Sequence, residues 1–147
     1  MDNLVATAKS QNDPLFRFFE REIISVKKLL SIVRNDFHSL RLVCDGEQKQ
    51  TNYLRELMSN IAKGIIPTAW RKYYSVPENM GLTVWLLDFK KRISQIQKVL
   101  KTNDFTCLWM GGLFNPEAFI TATRQAAARG HQWSLEQLHL TAQVLDS

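Results

Sequence analysis

The stretch with the most chemical potential in this 147-residue chain runs from Cys107 to Gly130, CLWMGGLFNPEAFITATRQAAARG. A double glycine ahead of a helix start can cradle a phosphate on its backbone N–H groups. The spacing at Gly111-Gly112 argues against that chemistry. A phosphate loop needs glycines closing on a Lys-Ser/Thr pair, and a dinucleotide fingerprint needs a strand before its glycines and a helix directly after them. Here Leu113 and Phe114 follow, the helix opens at Asn115-Pro116, and Glu117 puts negative charge in its first turn, where an anion would sit. The glycines then read as a close-packed turn at which the backbone passes a neighbouring helix.

Other groups with catalytic potential are dispersed. His38, His131 and His139 lie on or beside helical faces, with no Ser or Cys in a nucleophile motif. Glu20 and Glu22 read as surface neighbours. Cys44 and Cys107 are far apart and show no metal-ligand spacing, so both are expected to be buried free thiols in a reducing compartment. The cluster Lys90, Lys91, Arg92 could touch phosphates, and Trp70 to Tyr74 could stack on bases, but the cations fall on the outward side of a helix. With a formal charge of +5 and acids interspersed with bases, no nucleic-acid partner is expected. The tryptophans, Trp70, Trp85, Trp109 and Trp133, fall near helix ends, where large rings seal joints.

The elements that must position these residues are helical. Asp13-Pro14 starts a helix whose apolar residues, from Leu15 to Val43, recur at threes and fours until Cys44-Asp45-Gly46 ends it. A second helix is predicted over Glu47 to Lys63, stopped by Gly64 and packed antiparallel on the first. A short helix at Pro67 to Lys72 lies in the connection that follows. A third, capped by Thr83, spans Val84 to Leu100, with Lys90, Lys91, Arg92 and Lys98 outward, and KTNDF breaks it. A fourth runs from Pro116 to Arg129 with Gly130 as its stop. Ser134 to Gln137 has the form of a capping box before a short final helix. LHLTAQVL then alternates as a strand would, without a partner, as if a β-rich region were to follow. The fold class is therefore all-α: a long antiparallel hairpin with further helices and a short unpaired strand. Residues 1–12 read as a frayed or added leader, 13–75 as a hairpin subdomain and 76–147 as a second helical one. The N-terminus lacks the form of a signal peptide, and no apolar run approaches the ~20 residues of a membrane span. A cytosolic location without membrane contact is expected.

Six blocks, DPLFRFFERE, QTNYLREL, KGIIPTAW, WLLDFKKRI, GGLFNPEAFITATRQ and WSLEQL, in this order and spacing, resemble the C-terminal part of the cytoplasmic dynein heavy chain. The resemblance covers about Asp13 to Leu140. It implies a parent that is a minus-end-directed microtubule motor with a ring of six AAA+ modules. Residues 13–75 would be the small helical subdomain of the sixth module, and 76–147 the start of the C-terminal domain. In that family nucleotide hydrolysis belongs to earlier modules and microtubules are gripped by a stalk. Walker motifs and stalk heptads are absent here, so neither ATP hydrolysis nor microtubule binding is expected of this piece. No cofactor is expected in it, ATP and Mg belonging to other modules. The implied partners are the other modules of the same heavy chain, within a homodimer bearing intermediate and light chains on microtubules. The expected role is to brace the ring and tune motility. Packing candidates are Trp70, Trp85, Trp109, Gly111, Gly112, Phe114, Pro116, Phe119, Arg124 and Trp133; no residue is expected to be catalytic or to bind metal. Two rivals are a free-standing adaptor docking a peptide at Trp70 to Tyr74, and a small nucleotide-dependent enzyme centred on Gly111-Gly112.

Overall fold

A computed structural model describes residues 12–102 and 107–144. Among them are five helices, α1 (Pro14–Cys44), α2 (Asn52–Ala62), α3 (Thr68–Arg71), α4 (Leu82–Thr102) and α5 (Pro116–His131), with single 3-10 turns at Met110–Gly112 and Leu135–Gln137. The fold is all-α. The described residues form two compact units, one within residues 21–115 and one of residues 12–20 with 116–144. Helix α1 contributes its first turns to the latter and the remainder to the former.

In the unit of residues 21–115, the helix ends follow local chemistry. Gly46 takes a left-handed φ of +75° after α1, and the N–H groups of Glu47 and Gln48 both reach Leu42 O. The backbone is still closing that end at Gln48, so α2 starts five residues later than expected, where Thr51 Oγ1 accepts from Leu54 N (3.2 Å). Gly64, at φ +69°, ends α2, and its carbonyl accepts from Leu82 N (2.8 Å). That bond sets the start of α4: its first turn already runs from Gly81 O to Trp85 N (3.0 Å), which puts the expected cap Thr83 inside the helix. Helix α4 continues through Lys101 and Thr102, and the rest of the expected KTNDF break lies outside the described residues. The Tyr53 hydroxyl of α2 donates to Asp36 of α1 (2.8 Å), as α2 folds back onto α1. One core joins Leu29 and Val33 of α1, Leu54 and Leu57 of α2, Trp70, Tyr74, and Leu82, Trp85 and Phe89 of α4. A smaller cluster joins Ile23, Val26 and Ile96.

The other unit is thinner. Phe18, Phe19 and Phe119 form a ring trio with centroids 5.0 to 6.3 Å apart, and Ala122 and Ala128 are buried on α5. Gly130, expected to stop α5, lies inside it. The helix ends two residues beyond the expected Arg129, at His131, with Gln132 at φ +57° and Trp133 N bonded to Ala128 O (3.0 Å), so a glutamine holds the left-handed position. Ser134 caps nothing with its side chain, and the expected final helix is one 3-10 turn. No strand forms among the described residues: residues 138–144 have no neighbouring edge to pair with, and alternation alone does not make a ladder. Leu145 lies outside the described residues.

Candidate functional site

Three charged side chains interrupt the apolar stripes at core positions. On α1, Phe19, Glu22, Val26, Leu29, Val33 and Asp36 follow one another at threes and fours; on α4, Leu82, Trp85, Phe89, Arg92, Ile96 and Val99 do the same. Register therefore carries Glu22 (3% exposed), Asp36 (8%) and Arg92 (7%) inward with their neighbours. A buried charge is costly unless its hydrogen-bonding capacity is met, so the partners of these three identify what they do.

Glu22 and Arg92 hold the segment 109–115. Glu22 accepts from Phe114 N through Oε2 (2.8 Å) and from Asn115 N through Oε1 (2.9 Å). Arg92 donates from Nη1 to Leu113 O (3.0 Å) and from Nε to Asp88 (2.7 Å), one turn earlier on α4. Its guanidinium lies 3.9 Å from the Tyr74 ring centre and 5.4 Å from that of Trp109. Gln95, one turn further along, donates from Nε2 to Trp109 O (3.2 Å) while its Oε1 accepts from Trp109 N (2.7 Å). The remaining donors close locally, Gly112 N to Trp109 O (2.9 Å) and Leu113 N to Met110 O (3.1 Å). Every backbone N–H from Gly112 to Asn115 is thus already bonded within the protein. A phosphate seeking those donors would have to displace a buried carboxylate. Burial pushes the Glu22 carboxyl above its ordinary value of 4.5, against the opposing pull of the Phe114 and Asn115 N–H groups and of Arg92.

The glycines have a more specific use than the one expected. A Cβ on Gly112 would stand 2.3 Å from Trp109 Cε3, and one on Gly111 would stand 2.9 Å from Trp109 Nε1. The space they leave is filled by the indole of Trp109, a few residues upstream, and not by a neighbouring helix.

The third buried charge anchors the aromatic interior. Asp36 Oδ2 accepts from Trp70 Nε1 (2.7 Å) and from the Tyr53 hydroxyl (2.8 Å). From there the rings run Phe37, Trp70, Trp85, Phe89 with centroids 5.3 to 5.6 Å apart, and Tyr74 lies parallel to Trp85 at 6.1 Å and edge-on to Phe114 at 5.3 Å. Burial, with help from Asp36, pushes the Tyr53 hydroxyl up to about 12, and burial together with the Asp88 charge pushes that of Tyr74 upward. Asp36 at one end and the Arg92 and Glu22 pair at the other bracket a continuous aromatic core.

Several expected placements change. Arg92 lies inward, unlike Lys90, Lys91 and Lys98, because it shares the register of Phe89 and Ile96. Glu22 is buried and only Glu20 is at the surface. Cys44 and Cys107 are exposed free thiols, since Cys44 ends α1 beyond its packed stripe and Cys107 lies in a connection. Trp70 and Trp85 have no exposed surface and Tyr74 is buried, so of the three rings from Trp70 to Tyr74 only that of Tyr73 keeps partial exposure for the peptide docking expected of an adaptor. Trp109 remains 44% exposed as a cover over the glycines, and Trp133, 54% exposed, stacks on His131 at 4.4 Å. Phe114 is half-buried against both clusters. Pro116 is exposed at the first position of α5, and Phe119 is half-buried in the ring trio. Exposed Arg124 donates to Leu135 O (2.9 Å), and Arg129 donates to Asn12 O. His38, His131 and His139 are all exposed and separate, and no group of three His, Cys, Asp or Glu among the described residues could hold a metal ion. Glu22, Asp36, Arg92 and Gln95 were not among the expected site residues, although charge at core register singles out the first three.

The family model for the C-terminal domain of the dynein heavy chain matches residues 2–147. The protein belongs to that family. It is 47% identical over 147 residues to the cytoplasmic dynein heavy chain of Dictyostelium discoideum, covering 99% of this chain and 3% of that one. With the cytoplasmic dynein heavy chain of Drosophila melanogaster it shares 42% identity over 152 residues, 98% of this chain and 3% of the other. With mouse dynein axonemal heavy chain 5 the identity is 30% over 132 residues, 89% of this chain and 3% of the other. The 147 residues thus span about 3% of the length of these relatives, and their likeness to the two cytoplasmic heavy chains exceeds that to the axonemal one.

Proposed function

We propose that this dynein heavy chain segment is a non-catalytic, structural and regulatory part of a minus-end-directed microtubule motor head, bracing its AAA+ ring and tuning motility. The observation that supports this most is the use made of 109–115: the segment whose glycines suit a phosphate spends its donors on Glu22 and on itself. The three buried charges, Glu22, Asp36 and Arg92, are engaged in fixing helices and loops. Closely packed helices of this kind carry rigid-body motion better than loops do. In this reading residues 13–75 belong to the sixth module and 76–147 to the C-terminal domain. ATP and Mg bind at other modules. The partners are those modules within a homodimeric heavy chain bearing intermediate and light chains, in the cytoplasm and on the cytoskeleton. No helix among the described residues is long and apolar enough to cross a membrane.

Two measurements test the proposal. Titration of the 147-residue protein with ATP and ADP is expected to show no binding tighter than about 1 mM, roughly 4 kcal/mol; tighter binding would restore the enzyme reading. In a full-length heavy chain with Arg92→Met, basal ATP hydrolysis is expected to persist while microtubule gliding velocity changes. Loss of basal hydrolysis together with nucleotide binding would place the segment in the catalytic machinery, and an unchanged velocity would remove the regulatory role.

A further inference from the structure

Helix α4 is apolar on two sides in its first half, which an amphipathic surface helix is not. Leu82, Trp85 and Phe89 face the core, yet Val84 and Leu87 on the opposite side are 56% and 58% exposed. Met80, Val84, Leu87 and Trp109 line an open groove of about 620 Å³ whose rim carries Lys90 and Lys91. Val84, Leu87 and Lys91 follow one another at three and four on α4, and Met80 stands just before its first turn, so the groove runs along the helix for about two turns. Its chemistry is one-sided. The one carboxylate in the lining, Asp88, is engaged by Arg92 at 2.7 Å, while Lys90 and Lys91 are exposed and, among the described residues, in no ion pair.

We propose that this groove is a docking site for an amphipathic helix of the same heavy chain, laying an apolar stripe on Val84, Leu87 and Trp109 and directing Asp or Glu side chains at Lys90 and Lys91. An apolar floor with a cationic rim selects an apolar stripe with an acidic edge, which is the helix-in-groove mode with charge complementarity fixing register. The source follows from length: these residues span about 3% of their relatives, so the rest of a heavy chain presents its helices at an effective concentration no free protein matches. The choice of source rests on the reading of the protein as part of a longer motor. The groove also touches the segment 109–115, because Trp109 lines it, is held by Gln95 and covers Gly111 and Gly112. An occupant pressing on Trp109 would bear on the segment that Glu22 and Arg92 hold.

The test is carbodiimide cross-linking of a full-length heavy chain, which joins an ammonium to a carboxylate already in contact with it, followed by peptide mass spectrometry. Lys90 or Lys91 is expected to be joined to an acidic residue in an apolar-striped helix elsewhere in the same polypeptide. Leu87→Asp, a change at an exposed position, is expected to cut that yield about tenfold by removing apolar burial and adding like charge. Joins from Lys98 and Lys101, outside the groove, should keep their yield, and Val84→Ser should act in the same direction as Leu87→Asp. Joins from neither rim lysine, joins only to a second copy or another protein, or yields unmoved by both substitutions would overturn the proposal. None of these outcomes bears on ATP hydrolysis or gliding, so failure here is distinguishable from failure of the proposed function.

Discussion

The two units are held by different means. That of residues 21–115 buries three charges and two complete tryptophans, and each buried charge ends on named donors or acceptors. That of residues 12–20 with 116–144 relies on three phenylalanines, two buried alanines and arginine bonds to exposed carbonyls. Apolar contacts are forgiving of small shifts, whereas a buried ion that loses its partner is not. The first unit should therefore be stiff and specific and the second softer, and substitutions can break or sharpen that contrast.

The largest effect is expected from Trp70→Ala. It removes a fully buried ring from the aromatic core and one of the two donors to Asp36, and should lower the stability of the protein by about 3–5 kcal/mol in a denaturant titration. A loss below about 1 kcal/mol, within the range of surface substitutions, would mean that the ring series is not the core of this unit. Arg92→Met comes next, at about 2–3 kcal/mol, because it strands Leu113 O and leaves Asp88 without its cation, although the partial exposure of Asp88 limits the second part.

Glu22→Gln should cost about 1–3 kcal/mol, since an amide offers one acceptor where two N–H groups need two. It also carries a pH signature. The folded carboxyl titrates above 4.5, so the folded state binds more protons than the unfolded one between the two values. The contribution of Glu22 is then greatest below about 4.5 and declines as pH rises through the raised folded value. The stability gap between the parent protein and Glu22→Gln should accordingly narrow as pH rises, and a gap that widens would reverse the assigned cause.

Gly112→Ala should cost about 1–3 kcal/mol through collision with the Trp109 indole, and Trp109→Ala in the same molecule should recover much of that loss. Simple additivity of the two would show that the glycine serves some other neighbour. In the softer unit, half-buried Phe119→Ala should cost about 2 kcal/mol, below the usual range for a fully buried ring. A cost equal to that of Trp70→Ala would erase the contrast between the units.

Much of the fold could be read in the sequence because it is written in local chemistry. Asp13-Pro14, Gly46 and Gly64 mark real helix ends, and the threes and fours of α1 and α4 are real packed stripes. Departures arise where a longer-range bond or an unexpected residue decides. The Leu82 to Gly64 bond moved the start of α4, and Gln132 took the position expected of Gly130. The candidate site was hidden for a different reason. On composition alone Arg92 joins Lys90 and Lys91 as one basic run, and only register separates the inward cation from the outward ones. Glu22 and Asp36 likewise look like ordinary surface acids until each is placed on its stripe. Their partners are 92 and 34 residues away in the sequence, at Phe114 and Trp70, which no local pattern encodes.

The central claim is that Glu22 closes the segment 109–115 from within. Native-state hydrogen exchange on the parent protein and on Glu22→Gln tests it at single amides. Phe114 and Asn115 should be protected in the parent and lose protection selectively in the variant, with Leu54 in α2 unchanged. Unprotected amides at 114 and 115 in the parent, or protection that the substitution leaves intact, would contradict the claim.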